Sequence, residues 1–292
     1  MSRFGFPRAL KSSLKHGYAL IRPIIPDVVD EVLNMWRALG YFPNVWKPRS
    51  FNEKIAHRKL FQYDERYARL TDKWRVREYV RDKVGQEFLT RVFGYALDPN
   101  DIDPAGLPDS FVIKATHDCG STIIVDHKSD ADWSEISRFL RDRLSRVYGV
   151  LDNQYWYAEI PPAIIVEERL MDKQYGVPVD YKFFVFHGSV KVIQVIEGRF
   201  GQKAQGFYDR SWRRLPVLRP GSVSAPLIER PRQLGTMIEV AEALGSDFDF
   251  VRVDLYAPND ERVVFGELTF SPAAGRAPFL PRSFDFELGT YW

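Results

Sequence analysis

Two apolar stretches near the C-terminus carry the side chains best suited to chemistry. Arg252 and Asp254 sit in Val251-Arg252-Val253-Asp254-Leu255, and Glu267 and Thr269 in Val264-Phe265-Gly266-Glu267-Leu268-Thr269. Side chains alternate along a strand, so Arg252 shares a face with Asp254, and Glu267 with Thr269, while the valines and leucines take the opposite faces. A turn at Ala257-Pro258-Asn259-Asp260 closes the two stretches into a hairpin and carries Asp254 close to opposite Glu267. Facing like charges repel unless something positive stands between them. A divalent cation meets that need, because Mg²⁺ takes hard oxygen ligands and is usually held by one or two carboxylates plus substrate phosphates. The same pattern also describes a surface hairpin with solvated charges, or an ion pair with Arg252.

Three further places have residue types that suit a nucleotide. Lys114 ends an apolar strand just before His117-Asp118-Cys119-Gly120-Ser121, so its ammonium emerges beside the backbone N–H groups of a glycine loop, a pairing that binds phosphate. The spacing of a Walker A motif is absent. Asp180-Tyr181-Lys182 opens another strand with a carboxylate for ribose hydroxyls and an ammonium for a terminal phosphate on one face. Each has an ordinary alternative: Lys114 snorkelling from a hairpin edge, and Asp180 with Lys182 as a strand-end charge pair. By residue type alone, Glu167-Glu168 marks a surface turn. Cys119 and His117 have no identified orienting acid for nucleophilic catalysis, and one cysteine with five scattered histidines is a still weaker signal for a His/Cys metal centre.

The elements that must position these groups follow from periodicity. Helical spacing of apolar residues predicts helices over 27–39 and 52–61, with Asp27 and Asn52 as caps, and over 72–84, where Lys73 and Arg77 fall on one face. From residue 111 short strands take over: 111–114 and 122–125 around the glycine loop, 163–166 running into Glu167, 181–186 and 190–196 about a His187-Gly188 turn, and 250–256 with 262–270. Helices over 132–148 and 232–244 separate them. Such alternation of helices with hairpins is an α+β pattern.

The chain of 292 residues, 45% hydrophobic and 14% aromatic, can bury a large core. Its 41 Lys and Arg against 39 Asp and Glu leave a net charge of +2, too balanced for a protein whose partner is nucleic acid. A single cysteine and the lack of a signal-peptide core or membrane-spanning run fit a cytoplasmic protein. The basic segment 4–25 reads as a solvated start, with weak peripheral association to an anionic membrane as the alternative.

Taken in order, Asp72-Lys73 through Arg77, Lys114, the glycine loop, Glu167-Glu168-Arg169-Leu170, Asp180-Tyr181-Lys182, Arg252-Val253-Asp254 and Glu267-Leu268-Thr269 before Ser271-Pro272 resemble the ATP-grasp superfamily. Phe51-Asn52-Glu53-Lys54 and Phe265-Gly266-Glu267-Leu268-Thr269-Phe270 narrow the resemblance to the ATP-grasp proteins associated with teichuronopeptide and other surface-polysaccharide synthesis, over residues 51–289. The resemblance implies an ATP-grasp fold of two α+β subdomains gripping ATP: a helical region at 1–105, a small lid at 106–170 and a metal-bearing subdomain at 171–292. It assigns Lys114 and Arg77 to phosphate beneath a mobile loop that includes His117, Gly120 and Ser121. Glu167, Glu168 and Leu170 would bind adenine, Asp180 the ribose and Lys182 the γ-phosphate. Asp254, Glu267 and Thr269 would hold Mg²⁺, and Arg252 would stabilise the oxyanion. Thr269 stands where most of the superfamily has asparagine, and helices replace the usual amino-terminal α/β substrate domain.

The activity so implied is ATP-dependent joining of a small-molecule or glycan carboxylate to an amine, an amino acid, through an acyl phosphate. Two alternatives stay open. One is a phosphotransferase acting on a sugar hydroxyl; the other is a non-catalytic nucleotide- or carbohydrate-binding subunit in which Tyr155, Trp156 and Trp212 stack on sugars.

Overall fold

The computed structural model describes residues 24–198, 204–225 and 228–292, so most of the basic start lies outside the described residues. Helix α1 (Asp27–Leu39) begins after Pro26, with Asp27 in its first turn and no side-chain cap, and ends at left-handed Gly40. Helix α2 (Phe51–Phe61) is capped by Ser50, not Asn52. The Ser50 hydroxyl accepts from Glu53 N, and the Glu53 carboxylate accepts from Ser50 N, a reciprocal box that satisfies two otherwise orphaned donors. Asn52 is thereby free to donate from its amide to Ala277 O at 3.1 Å.

After α3 (Arg66–Thr71), the expected helix over 72–84 is only α4 (Val76–Lys83). The Asp72 carboxylate accepts from Trp74 N at 2.8 Å and holds 72–75 as a turn. Lys73 and Arg77 therefore do not share a helix face, and Lys73 N donates instead to Thr116 O at 3.2 Å.

Strands β1 (Val92–Ala96), β2 (Phe111–Ala115), β3 (Ile123–Val125) and, after helix α5 (Trp133–Leu144), β4 (Ile164–Glu168) form an antiparallel sheet in the order β1-β4-β2-β3. On β2, Phe111 and Ile113 pack against Ile136 and Leu140 of α5, which leaves Val112 and Lys114 on the other face. Val112 pairs in register with both Ile124 and Glu167, so those side chains share that open face.

The second sheet runs β11-β10-β5-β6-β7-β8. Its strands are β5 (Asp180–Phe186), β6 (Ser189–Glu197), β7 (Ala204–Asp209), β8 (Arg214–Leu215), β10 (Phe250–Tyr256) and β11 (Val264–Thr269), with β9 (Val223–Ser224) alongside β7. One face carries Tyr181, Phe183, Val185, Val251, Val253 and Leu255 into the main core under helix α6 (Leu234–Gly245). The other face changes character along its length. At one end Phe184, Phe186 and Phe250 lie under Phe51 of α2, with ring centroids 5.7, 6.0 and 4.9 Å away, and near Phe284 of helix α7 (Ser283–Thr290). At the other end the same face bears Asp180, Lys182, Asp254 and Arg252. Helix α2 thus caps half of one sheet face and leaves the charged half to a cleft.

Sequence periodicity alone does not mark β1, β7 or α7. Among the described residues no helix is long and apolar enough to cross a membrane.

Candidate active site

The cleft lies where the open face of the small sheet meets the β10–β11 edge of the large one. Val112, Lys114, Ile124 and Glu167 form one wall, Tyr256, Phe265, Gly266 and Glu267 the other, and Glu168, Arg169 and Leu170 also line it. Its cavity volume is about 150 Å³.

The hairpin on the far wall depends on one glycine. Asp254 pairs directly with Glu267 and Leu255 with Phe265, so Gly266 is the extra residue of a bulge. A Cβ at Gly266 would lie 2.8 Å from Tyr256 Cε2 and 3.0 Å from Asp254 O, closer than packed atoms tolerate. The bulge turns Glu267 to the face of Asp254, and Arg252 joins them. Its Nε donates to Asp254 Oδ1 at 2.6 Å, and its Nη2 to Asp254 Oδ2 at 2.7 Å, to Glu267 Oε1 at 2.8 Å and to Thr269 Oγ1 at 3.0 Å. Lys182 pairs with Asp254 and, at 2.9 Å, with Asp180.

Electrostatics follow from that crowding. Burial pushes the Asp254 carboxyl up to about 6; Arg252 and Lys182 pull against this, and Glu267 and Asp180 add to it. Glu267 goes the other way: burial opposes ionisation, but Arg252, Lys182 and Lys73 outweigh it and hold the group well below the usual carboxylate range. A pair of carboxylates split in this way suits a dication, which neutralises both. Among the described residues no group of three His, Cys, Asp or Glu side chains could hold a metal ion. The oxygens of Asp254, Glu267 and Thr269 fit Mg²⁺ only in the way that two carboxylates and a hydroxyl do, with ligand phosphates completing the shell.

The opposite wall is a relay of paired charges. Lys114 pairs with Glu167, Thr90 Oγ1 donates to Glu167 at 3.0 Å, and Arg77 donates to Thr90 Oγ1 at 3.1 Å. Burial works against the Glu167 carboxylate, yet Lys114 and the hydrogen bonds keep it below its ordinary value. Lys73 stands beside them in the cleft, its Nζ donating to Asp118 O and, at 3.4 Å, to Thr116 O. Burial lowers the Lys73 ammonium, and nearby Lys114 lowers it further. Periodicity misses Lys73 because it places 72–84 in one helix; the Asx turn at Asp72 was the signal that could have found it.

Of the expected site residues, the structure brings Arg77, Lys114, Glu167, Glu168, Leu170 and Glu267 to the cleft lining, with Asp180, Lys182, Arg252, Asp254 and Thr269 connected to it through Glu267 and its neighbours. Glu168 turns its carboxylate away to Arg262 and to Arg91 N. His117, Gly120 and Ser121 are not part of the lining. His117 and Ser121 are 2% and 1% exposed, Ser121 Oγ accepts from Ala115 N at 3.0 Å and donates to Asp118, and Arg143 grips Asp118 and, at 2.8 Å, Cys119 O. Lys73, Arg143 and Ser121 all bond to the glycine loop. Of the three aromatics that could stack on a sugar, Trp156 is buried 5.4 Å from Tyr67 and Trp212 stacks 4.4 Å over Tyr208 while donating to Ile228 O, whereas Tyr155 is exposed.

Two α+β layers closing on a charged cleft, with a carboxylate hairpin on one wall and lysines on the other, define an ATP-grasp protein. The chain belongs to the TupA-like ATPgrasp family, whose model matches residues 53–292. No curated protein matches it significantly. Similar solved structures include an L-amino acid ligase from Bacillus licheniformis (16% identity over 76% of this chain and 46% of that one, TM-score 0.45). Another is the D-alanine–D-alanine ligase of Bacillus anthracis with ATP (14%, 69% and 55%, TM-score 0.41). A third is the ATP-grasp ligase PsnB with a phosphomimetic variant of its minimal precursor, Mg and ADP (14%, 77% and 59%, TM-score 0.42). The chain spans about half the length of these proteins.

Proposed function

We propose that this chain is an ADP-forming, Mg²⁺-dependent carboxylate–amine ligase. One observation carries the proposal: a single guanidinium, Arg252, touches Asp254, Glu267 and Thr269 while Lys182 pairs with Asp254. Phosphate, metal and a developing oxyanion could all be served there.

An unactivated carboxylate is a poor electrophile. In the proposed reaction its oxygen attacks the γ-phosphorus of ATP, ADP leaves, and the acid becomes an acyl phosphate. Lys73, Lys114 and Lys182 would offset charge on the transferring group, and burial makes that charge balance effective. When bound at Asp254, Glu267 and Thr269, Mg²⁺ would supply Lewis-acid neutralisation of the phosphate oxygens. An amine then attacks the acyl carbon, Arg252 offsets the negative oxygen of the tetrahedral species, and phosphate leaves with the proton released by nitrogen. Glu167, Glu168 and Leu170 would receive the base, Arg77 would steady Glu167 through Thr90, and Asp180 would accept from the ribose. Family membership alone extends the reading to surface polysaccharide or glycopeptide assembly, with a uronic-acid or amino-acid carboxylate as the acid, and to a cytoplasmic setting.

An ADP-release screen of amino acids against uronic and simple carboxylic acids tests this. Release that requires both partners, with an amide in the product, is expected. Phosphate transfer to a sugar alcohol with no need for amine would overturn the ligase in favour of a kinase.

A further inference from the structure

One arginine outside the cleft reaches its lysine wall through the glycine loop. Arg143 stands in the last turn of α5, where the helix dipole favours a cation, and it does not line the cleft. Its Nε donates to Asp118 Oδ2 at 2.5 Å, its Nη2 pairs with the same oxygen, and that Nη2 also donates to Cys119 O at 2.8 Å. The pair is shielded, with side chains 15% and 1% exposed. Asp118 Oδ1 accepts from the Ser121 hydroxyl at 2.5 Å, and that hydroxyl accepts from Ala115 N at 3.0 Å. Both carboxylate oxygens are therefore held, one from α5 and the other from the end of β2.

Asp118 is also where Lys73 is fixed. Lys73 Nζ donates to Asp118 O and, at 3.4 Å, to Thr116 O. Thr116 has support from the small sheet, since its N–H donates to Ala163 O at 2.8 Å beyond the end of the β2–β4 ladder. Asp118 lies out in the loop, where side-chain bonds hold it. An ammonium has three N–H groups and no acceptor. Two are used on these carbonyls, and among the described residues no further acceptor meets Lys73, which lines the cleft beside Lys114. Lys114 works against the Lys73 charge and Asp118 supports it, so the carboxylate that Arg143 holds also steadies two neighbouring lysines.

An exposed ion pair would matter little here, because Ile136 and Leu140 hold α5 to β2 whatever Arg143 does. A carboxylate 1% exposed is a different case. Without Arg143 it would stay buried on one hydroxyl bond, and a buried charge that has lost its partner moves out or takes up a proton. Either change frees the backbone at residue 118 and with it one of the two carbonyls on Lys73.

We propose that Arg143 is a positioning residue for nucleotide phosphate: by gripping Asp118 it fixes the carbonyl that holds Lys73, and so sets the Lys73 ammonium beside Lys114 in the cleft. The inference rests on Lys73 as a phosphate contact, a part of the proposed function that a ligase and a kinase share.

Calorimetry on the whole chain tests this with two probes, Mg²⁺-ADP and adenosine, which has the base and ribose but no phosphate. The unaltered protein should bind ADP at least about 10-fold more tightly than adenosine. Arg143→Met should weaken ADP about 10-fold or more and leave adenosine unchanged, and Lys73→Met should do the same. In the double variant the two losses should not add, because both act on one ammonium. Arg143→Lys, which keeps the charge but not the fork, should recover part of the ADP affinity. The ratio of two affinities does not depend on how much of a variant folds. Equal weakening of ADP and adenosine would show a role in the fold alone, and an unchanged ADP affinity, or losses that add in full, would show that Arg143 does not act through Lys73; each overturns the proposal. A protein that prefers ADP but releases none from any acid and amine pair overturns the ligase and leaves this test intact. One with no preference for ADP overturns the phosphate reading of Lys73, and the proposal with it.

Discussion

Gly266→Ala tests whether the register of one hairpin builds the site. The added Cβ would stand 2.8 Å from Tyr256 Cε2 and 3.0 Å from Asp254 O. Carbon atoms pack at about 3.5–4.0 Å, so the ring or the strand must move by about 1 Å. The ring can give way in part; the carbonyl belongs to the backbone of β10 and cannot swing aside without moving Asp254 itself. An extra methyl forced into a packed place costs about 1–3 kcal/mol, and a displacement of about 1 Å in a reacting constellation costs about 100-fold in turnover. Urea unfolding should therefore show a loss of about 1–3 kcal/mol, and ADP release a fall of about 100-fold in kcat. Gly235→Ala is the control: it sits in the first turn of α6, no atom lies within 4 Å of the new Cβ, and it should gain up to about 1 kcal/mol with full activity. A Gly266→Ala protein that melts and turns over like the parent would show that the bulge does not set the positions of Asp254 and Glu267, and the account of the site would fall.

Three other outcomes are expected. Glu267→Ala removes one of two carboxylates on the shared guanidinium and should lose several kcal/mol of transition-state stabilisation, on the order of 1000-fold or more in kcat, while the melting temperature moves little because its side chain is 45% exposed. Affinity for Mg²⁺-ADP, followed by calorimetry, should weaken as pH falls through about 6, because Asp254 takes up a proton there that the metal must displace. The linked stability runs the opposite way: the folded pKa is raised from 3.8 to about 6, so this group's contribution to stability is full below 3.8 and is lost as pH rises to about 6; Asp254→Asn should flatten both profiles. Lys73→Met removes an ammonium from the phosphate wall and from the carbonyls of Thr116 and Asp118, and should raise KM for ATP about 10-fold or more and increase protease cutting near Gly120; unchanged values for both would remove Lys73 from the site.

Much of the large sheet was legible because its signals are local. Strand β10 matches the expected stretch 250–256, since apolar residues alternate there with Arg252 and Asp254. The His187-Gly188 turn, with φ of 47° and 71°, likewise follows from residue types that accept the left-handed region. Helix α4 starts later than the spacing predicts because Lys73 N is drawn to Thr116 O of a distant segment, while the Asp72 side chain caps Trp74 N ahead of the helix. Strand β1 has no clear alternation and exists because β4 offers it an edge.

For function, residue type and order were enough to name the charged set, since a carboxylate hairpin, strand-borne lysines and their succession along the chain are all properties of the linear sequence. Which of them meet was a tertiary matter. The Gly266 bulge decides that Asp254 faces Glu267, and the pinning of Asp118 decides that Lys73 faces the cleft while His117 and Ser121 are buried. Spacing along a chain reports which side chains share a local face. Only the packing of segments far apart in sequence determines which charges find a partner within the protein and which remain for a ligand.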